Sequence, residues 1–310
     1  MRPAYSRKDH TVSQNLGPHM EEELLSQPDS WQKAVDMVAD RDCLPKPGEK
    51  VAVVGCGTSW FMAQAYAAMR ETAGEGVTDA YTATEARLGG DRDYDTLMVI
   101  TRSGTTSEII DLLEQNKQMR SIALLGDVNT KVAELADHVV NLSFADEKSV
   151  VQTRFATTAL MFLRASLAPK EEIDKAIADA RTVIDADVED FLIDAEQYSF
   201  LGTDWRLGLA TEAALKMRES CQAWTESYSS MEYRHGPIAI ASKGRITWAF
   251  GPVPEGLEDQ VNNTGATFIS SGLDPFADLV KVHRVALATA RKRGLDPDHP
   301  RNLTRSVILK

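Results

Sequence analysis

The sequence has little of several residue types that define whole classes of protein. Only three cysteines occur among 310 residues. They are Cys43, Cys56 and Cys221, and an odd, scattered set of three neither builds a disulfide framework nor has metal-ligand spacing. The six histidines do not cluster either, so we expect no metal and no cofactor. Such cysteine usage is typical of a reducing compartment and predicts a cytoplasmic protein.

Long apolar runs and an excess of positive charge are also missing. No stretch approaches the roughly 20 apolar residues that a membrane span needs, and residues 1–20 lack the apolar region of a secretory signal. The 34 Lys and Arg stand against 46 Asp and Glu, a formal net charge of −12. Nucleic-acid binding normally requires a basic face. We therefore expect no membrane and no nucleic-acid partner, whereas a small phosphorylated ligand needs only local donors.

What the sequence does contain is an alternation of short apolar runs with amphipathic stretches. In its first half, five runs read as strands, at 51–54, 77–82, 97–100, 122–125 and 139–142. Strands of this length between helices predict an α/β fold with a doubly wound parallel sheet. A second, shorter unit follows with three clear strands, at 200–203, 246–250 and 267–269.

Composition suggests how the chain divides. We predict a flexible arm at 1–19, a first domain at 20–170, an acidic helical connector at 171–195 and a second domain with a tail at 196–310. The first domain opens with a helix that Pro28 interrupts. The polar stretch 225–237 reads as a loop, and the proline-rich tail 294–307 as irregular.

The segment 101–108 packs hydroxyls, one glycine and a guanidinium between the end of a buried strand and the start of a helix. A helix N-terminus has unpaired N–H groups and a partial positive charge that attract phosphate. Gly104 lets the backbone approach a ligand closely. One interpretation is a phosphate cradle, and the other is an ordinary helix capped by Ser or Thr. The loop 55–59 falls at the same carboxyl edge of the predicted sheet, where ligands bind in such folds, and this favours the cradle.

A second group of polar residues lies on a predicted helix at 207–219. Glu212, Lys216 and Glu219 are spaced so that they share one helix face. In an isolated helix that spacing is more typical of a solvated salt-bridge ladder than of a site. His235, in the loop that follows, is a candidate general acid or base, although a lone loop histidine is more often structural or exposed.

Five motifs in one order carry a resemblance to a known family. The chain resembles the isomerase half of glucosamine-6-phosphate synthase, built from two SIS (sugar isomerase) domains, and stand-alone double-SIS isomerases, deaminases and deglycases. The resemblance runs from about Met20 to Val307. The motifs are Cys56-Gly-Thr-Ser59, Arg102-Ser-Gly-Thr-Thr106, Glu212-Ala-Ala-Leu-Lys-Met-Arg-Glu219, Glu232-Tyr-Arg-His-Gly-Pro237 and Asp296-Pro-Asp-His-Pro-Arg-Asn-Leu303.

The resemblance implies a fold of two SIS domains, each a flavodoxin-like parallel sheet flanked by helices, the second shortened. It also implies roles for individual residues. Glu219 matches the base that moves a proton between C1 and C2 of an open-chain sugar, and His235 matches a ring-opening residue that the neighbouring subunit of a homodimer contributes. Lys216 matches a residue near the sugar. Positions that match the sugar-phosphate site are Ser59, Thr101, Arg102, Ser103 and Thr106 for the phosphate, with Gly57, Thr58, Val150 and Gln152 beside them.

Two departures from the family pattern limit what can be carried over. Arg305 stands where the synthase has a lysine that forms a Schiff base, and a protonated arginine cannot be that nucleophile. No glutaminase segment precedes the motifs, so we expect no glutamine-dependent synthesis. The resulting hypothesis is a dimeric enzyme that isomerises or deaminates a phosphorylated sugar or amino sugar. The alternative is a sugar-phosphate-binding regulator without catalysis.

Overall fold

A computed structural model of the chain describes residues 16–309, with the side chains of residues 39–41 left out of the description. Within that range the strands form two parallel sheets, ordered β2-β1-β3-β4-β5 and β7-β6-β8-β9. Their bounds are β1 Val51–Gly55, β2 Thr78–Thr82, β3 Thr96–Thr101, β4 Arg120–Leu125, β5 His138–Asn141, β6 Gln197–Gly202, β7 Trp224–Ser229, β8 Arg245–Phe250 and β9 Thr267–Ile269.

Helices connect the strands and cover both sheets. They are α1 Pro18–Leu25, α2 Gln27–Met37, α3 Thr58–Thr72, α4 Ser107–Gln115, α5 Lys131–Leu135, α6 Arg154–Ala165, α7 Lys170–Asp185, α8 Asp190–Ile193, α9 Arg206–Cys221, α10 Leu257–Asn262 and α11 Pro275–Arg293. The predicted interruption near Pro28 is confirmed: α1 ends at Leu25, and Pro28 lies in the first turn of α2, where its missing N–H costs little.

The predicted α/β class with two parallel sheets flanked by helices is confirmed. In each sheet the first strand pairs with neighbours on both sides: β1 lies between β2 and β3, and β6 lies between β7 and β8. The direction of winding therefore reverses between β1 and β3 and again between β6 and β8. In open parallel sheets ligands bind beyond the carboxyl ends of the strands at such a switch point.

The structure corrects the prediction of a loop at 225–237. Trp224–Ser229 is a fourth strand of the second sheet and pairs with β6 from Gln197↔Trp224 to Gly202↔Ser229. It is an edge strand on which Trp224 is exposed and four of the six residues are only partly buried. A strand without a continuous apolar face has no two-residue hydrophobic period, which is why the sequence pattern does not identify it.

The N-terminal and C-terminal segments contact each other. Residues 1–15 of the predicted arm lie outside the described residues, whereas α1 already begins at Pro18. The backbone N–H groups of His19 and Met20 donate to the carboxylate of Asp298 at 2.9 and 2.8 Å. No helix or strand is present between 295 and 309, as predicted for the tail. The tail is therefore irregular but fixed by specific hydrogen bonds.

One continuous apolar core joins the two sheets. It includes Trp31 of α2, Phe200 of β6 and Phe276 of α11, all fully buried. Helix α9 packs against α3, α11 and the second sheet, so that it is covered on most sides. Among residues 16–309 no helix is long and apolar enough to cross a bilayer. The same residues contain no cluster of three or more His, Cys, Asp or Glu arranged around a metal-sized space.

Candidate active site

The loops that follow β1 and β3 meet at the switch point of the first sheet, because these strands are hydrogen-bonded neighbours. Both loops need glycine. Gly57 has φ +55, and Gly104 has φ +60 with so little space that a Cβ would lie 2.1 Å from Oγ1 of Thr130. These backbone positions disfavour any other residue. The two loops thus bring their hydroxyl-bearing side chains to one edge of the sheet.

The hydroxyls of the two loops are not used as helix caps. Gly57 and Thr106 are the N-cap residues of α3 and α4, and neither makes a side-chain capping bond. Ser59, Thr101 and Thr106 are buried, yet their hydroxyls form no hydrogen bond with any group in residues 16–309. The capping interpretation of segment 101–108 is therefore wrong. Three hydroxyl groups without partners among the described residues therefore remain beside two helix N-termini, where unpaired N–H groups and the helix dipole favour an anion.

Arg102 is 2% exposed and serves the loop that follows β5. Its guanidinium donates to the backbone oxygens of Ser149 at 2.9 Å, Val150 at 3.1 Å and Arg305 at 3.3 Å. It also lies 3.8 Å from the buried carboxylate of Glu147. The charge of Arg102 thus sits directly behind the cradle and fixes the neighbouring loop and the tail.

The remaining residues predicted to bind substrate surround the same edge. The Ser103 hydroxyl accepts a hydrogen bond from the backbone N–H of Thr105 at 3.3 Å. Val150 meets Arg102 through its backbone oxygen. Oε1 of Gln152 is buried without a hydrogen-bond partner among the described residues, and such an atom costs free energy unless a ligand or water pairs with it.

Lys216 connects helix α9 to the cradle. Its ammonium donates to Oγ1 of Thr58 at 3.0 Å and to Oε2 of Glu219 at 2.6 Å, and it lies 3.4 Å from Oε1 of Glu212. The side chains of Lys216 and Glu212 are 0% and 1% exposed, whereas that of Glu219 is 20% exposed. Because Lys216 and Glu212 are buried, the three residues do not form the solvated salt-bridge ladder that their spacing also allows. The three charges form an internal cluster in contact with the start of α3.

Burial and neighbouring charges set the protonation of this cluster. Burial raises the pKa of Glu212 to about 8, with nearby Lys216 opposing the rise and Glu219 adding to it. Burial alone disfavours the charge of Lys216, but Glu212 and Glu219 together raise the pKa of the ammonium. Lys216 thus pairs most closely with Glu219, and burial disfavours the charged form of Glu212. Glu219 is the more exposed of the two carboxyl groups and the one that a ligand can reach.

His235 and Arg305 lie outside the Glu212–Lys216–Glu219 cluster. His235 is exposed, in a short 3-10 turn from Glu232 to His235, and makes no hydrogen bond or ion pair with residues 16–309. The Arg305 guanidinium pairs with Asp146 at 2.5 Å and donates to the backbone oxygen of Glu147. The structure of one chain therefore brings Glu219, Lys216 and the hydroxyls together, but not His235.

Two buried acids that support the site are absent from the sequence prediction. Glu147 accepts from the backbone N–H groups of Thr153 at 2.6 Å and Arg154 at 2.7 Å, so that it caps α6. Glu23 of α1 accepts from the Ser149 hydroxyl at 2.6 Å. An acid six residues before an apolar helix is a weak sequence signal for the first of these. Nothing local identifies the second, because its partner is more than 100 residues away.

The tail covers the cradle from outside. The Thr105 hydroxyl donates to Ser306 at 3.1 Å, and the backbone N–H of Ser107 donates to the Val307 oxygen at 3.3 Å. The backbone N–H of Leu309 in turn donates to the Ser107 hydroxyl at 2.9 Å. Residues 305–309 therefore adjoin the start of α4.

Comparison with known proteins matches this geometry to a described family. Residues 46–168, which include the first sheet and both cradle loops, match the family model described as SIS domain. In sequence the chain is 26% identical to a glutamine–fructose-6-phosphate aminotransferase (isomerizing) of Nostoc sp. and 25% identical to one of Methanothermobacter thermautotrophicus. Each match includes 84% of this chain and 52% of the relative. The chain thus spans about half the length of these relatives.

Solved structures share the fold over nearly the whole chain. A glucosamine-6-phosphate deaminase from Thermotoga maritima superposes with a TM-score of 0.80 at 23% identity, covering 94% of this chain and all of that one. A tagatose-6-phosphate ketose/aldose isomerase from Escherichia coli gives 0.75 at 18% identity, covering 99% of both chains. Residues 46–168 therefore match the SIS domain, the chain is similar in sequence to the isomerising aminotransferases, and it shares the fold of these solved structures.

Proposed function

We propose that the chain is an enzyme that moves a proton between C1 and C2 of a phosphorylated sugar or amino sugar, as an aldose–ketose isomerase or an amino-sugar-phosphate deaminase. The observation that carries the proposal is the position of Lys216, which bonds both Glu219 and Thr58. It joins a partly exposed carboxylate to the loop of free hydroxyls. The SIS-domain match and the phosphorylated sugars in the names of the relatives support the same substrate class.

In the proposed reaction the phosphate binds to the hydroxyls of Ser59, Thr101, Ser103 and Thr106. Glu219 removes the proton from the carbon next to the carbonyl and returns it to the adjacent carbon, which is the task of a positioned carboxylate. The ammonium of Lys216, which lies between Glu212 and Glu219, orients Glu219 and stabilises negative charge on the sugar oxygens. The proposed reaction uses no glutamine and no cofactor.

Solvent exchange tests the proposal directly. The purified protein is incubated in D₂O with a panel of hexose and hexosamine 6-phosphates, and deuterium at C1 and C2 is followed by NMR. We expect exchange with at least one sugar and a loss of about 10²–10⁴-fold in Glu219→Gln. Glu258→Gln, on the exposed face of α10, is the matched control and keeps the wild-type rate. Equal exchange by wild type and Glu219→Gln would contradict the assignment of the base.

We further propose that His235 acts on the site of a second copy of the chain, because it is exposed and makes no bond within its own. Two inactive variants, Glu219→Gln and His235→Asn, are unfolded together and refolded as a mixture. A mixed dimer would contain one site with both groups, so about a quarter of the wild-type activity returns if sites are shared across a two-fold interface. No recovery in a verified mixed dimer would place His235 elsewhere.

Arg305 favours one alternative, a sugar-phosphate-binding regulator. The position carries a side chain that cannot form an imine, and that side chain is held by Asp146 and Glu147. Calorimetry with the same sugar panel separates the two functions. Saturable binding without deuterium exchange selects the regulator, whereas exchange with any sugar selects the enzyme.

A further inference from the structure

A second cavity lies at the carboxyl edge of the second sheet. It has a volume of about 690 Å³, within the range of small-molecule sites. Residues that directly follow three strands of that sheet line it: Trp205 and Arg206 after β6, Gly251 after β8, and Ser270 after β9. It therefore occupies the switch point between β6 and β8, where ligands bind in open parallel sheets.

The backbone at this switch point repeats that of the cradle. A Cβ on Gly55 would lie 2.4 Å from the backbone of Ser59, and a Cβ on Gly202 would lie 2.4 Å from the backbone of Arg206. In each case the last residue of the strand closely approaches the backbone four residues later, at the start of the following helix. The two sites are nevertheless separate. Helix α3 begins at the cradle and its last turn lines the cavity, and its 15 residues span about 20 Å.

Arg206 supplies a free positive charge in the cavity. Its guanidinium lies 4.7 Å from the ring centre of Trp205, and it makes no hydrogen bond or ion pair with residues 16–309. Its Nε atom is buried without a partner. Desolvation lowers the pKa of Arg206, and the nearby carboxylates of Asp204, Asp274 and Glu172 oppose the fall without bonding the guanidinium. A guanidinium stacked on an indole still presents its edge N–H groups for two-point binding of phosphate.

The packing around Arg206 depends on one glycine. Gly251 has φ +78, and a Cβ there would lie 2.6 Å from both Cδ and Nε of Arg206. Only glycine leaves space for the guanidinium in its observed position. The local sequence of the loop after β8 therefore accommodates this side chain.

The other cations of the cavity already have partners. Arg164 donates to both oxygens of Asp274, at 2.9 and 2.8 Å, and Lys175 pairs with Asp179. Asp204 and Glu172 add negative charge near the opening. The cavity thus has room for one anionic group on Arg206, and further negative charge would meet carboxylates.

The rest of the wall is apolar and comes from both halves of the chain. It includes Met69, Leu167, Pro252 and Leu273. A hydroxyl-rich sugar would leave its hydroxyls unpaired against such a wall. A nucleoside has fewer hydroxyls than a hexose and carries an aromatic base whose faces can pack on this wall. We propose that this cavity is a second ligand site for an organic monophosphate with an aromatic base, the chemistry of a nucleoside monophosphate, in which Arg206 holds the phosphate and the apolar wall packs against the faces of the base.

Calorimetric titration of the full chain with adenosine 5′-monophosphate and uridine 5′-monophosphate tests the proposal. We expect saturable 1:1 binding of at least one, weakened at least about tenfold in Arg206→Gln, since a charge-assisted phosphate contact contributes about 1.5–3 kcal/mol. Arg206→Lys keeps the charge without the fork and has intermediate affinity. Arg181→Gln, on the exposed side of α7, is the matched control and binds like wild type. Thermal melts verify that each variant is folded.

Two further titrations test which site binds the nucleotide and whether its organic part contributes to the affinity. Saturating fructose 6-phosphate leaves nucleotide binding unchanged, because the cradle is a different site, and inorganic phosphate binds more weakly than the nucleotide because it cannot use the apolar wall. No saturable nucleotide binding overturns the proposal, as does unchanged affinity in a folded Arg206→Gln or Arg206→Lys. Displacement by fructose 6-phosphate would overturn it by placing the nucleotide in the cradle. Because the sugar reaction is measured separately, failure here does not affect the proposed function.

Discussion

At the carboxyl edge of the first sheet, the loops after β1 and β3 present small hydroxyl side chains and no exposed cation. At the corresponding edge of the second sheet, the segment after β6 presents an indole and a guanidinium, and the loop after β8 contributes Gly251. The backbones are alike: Gly55 and Gly202 make equally close turns into α3 and α9. Packing therefore fixes the backbone of the turns after β1 and β6, whereas the side chains on these turns differ and can bind different ligands.

The two edges also differ in how their arginines are used. The two terminal nitrogens of Arg102 donate to three backbone oxygens, although its Nε is buried without a partner among the described residues, so Arg102 organises the first edge without reaching into it. The guanidinium of Arg206 has no hydrogen-bond partner among the described residues and lines a cavity. A guanidinium without hydrogen-bond partners carries a desolvation cost that a bound anion would offset.

The largest expected effect tests whether the two turns are equivalent. Gly55→Ala and Gly202→Ala each force a Cβ to within 2.4 Å of backbone, and backbone cannot move aside as a flexible side chain can. Each variant should lose about 3 kcal/mol of unfolding free energy, measured by urea denaturation. Gly89→Ala, where a Cβ meets nothing within 4 Å, is the control. If only one of the two variants is destabilised, the equivalence of the turns is wrong.

The sequence predicts the ligand-binding edge of the first sheet, but it does not predict the cavity at the edge of the second sheet. The runs 51–54 and 97–100 are apolar and contain several β-branched residues, and both are fully buried strands as predicted. Ser59 and Thr106 follow them, so their place at one edge follows from sheet topology alone. The cavity of the second side could not be predicted, because it is closed by loops after three strands and by α3 and α6 from the other half.

The charge cluster on α9 shows a different limit. The spacing of Glu212, Lys216 and Glu219 describes an exposed ladder as well as a buried cluster, and the sequence analysis left that choice open. The remaining faces of the helix carry small and apolar residues such as Ala210 and Ala213, both fully buried. Apart from Arg218, which is exposed, the positions around the three charges are small or apolar over most of the helix, and such a helix is mostly surrounded by protein. That pattern was the signal for burial.

The next prediction removes the chemistry of the first edge and leaves its backbone intact. Ser59→Ala and Thr106→Val each delete one free hydroxyl. A hydrogen bond to a charged phosphate contributes about 1.5 kcal/mol, so each should weaken sugar-phosphate binding about tenfold in a calorimetric titration. Thr203→Val makes the corresponding deletion after β6, where the side chain is exposed, and should leave this affinity unchanged. Equal losses in all three variants would mean that the hydroxyls act through folding rather than through phosphate.

A smaller expected effect concerns the buried acids near the two edges, Glu212 on α9 and Asp278 on α11. Glu212 has Lys216 beside it, whereas Asp278, behind the second edge, accepts a hydrogen bond from Trp248 at 3.3 Å. Burial raises the pKa of Asp278 to about 6 from an ordinary value of 3.8. A raised pKa stabilises the fold below the unfolded value, and that contribution is lost as the pH rises through 6.

Asp278→Asn removes this titration. The variant should therefore gain stability relative to wild type between pH 5.0 and pH 7.5, by about 1 kcal/mol. Urea denaturation of both proteins at the two pH values measures the difference. Asp259→Asn, which removes an exposed acid on α10, is the control for the loss of a surface carboxylate. A gain that shrinks as the pH rises would contradict the raised pKa.

The smallest expected effect concerns Arg305, where the tail meets the first edge. Its ion pair with Asp146 is about one-third exposed on both sides, at 36% and 33%, and such pairs contribute about 0.5 kcal/mol. Its contact with Arg102 uses the backbone oxygen, which a substitution keeps. Arg305→Lys should therefore lose no more than about 0.5 kcal/mol in urea denaturation, and Asp146→Asn a similar amount. A loss of several kcal/mol in Arg305→Lys alone would show that the guanidinium, rather than the tail backbone, holds the first edge together.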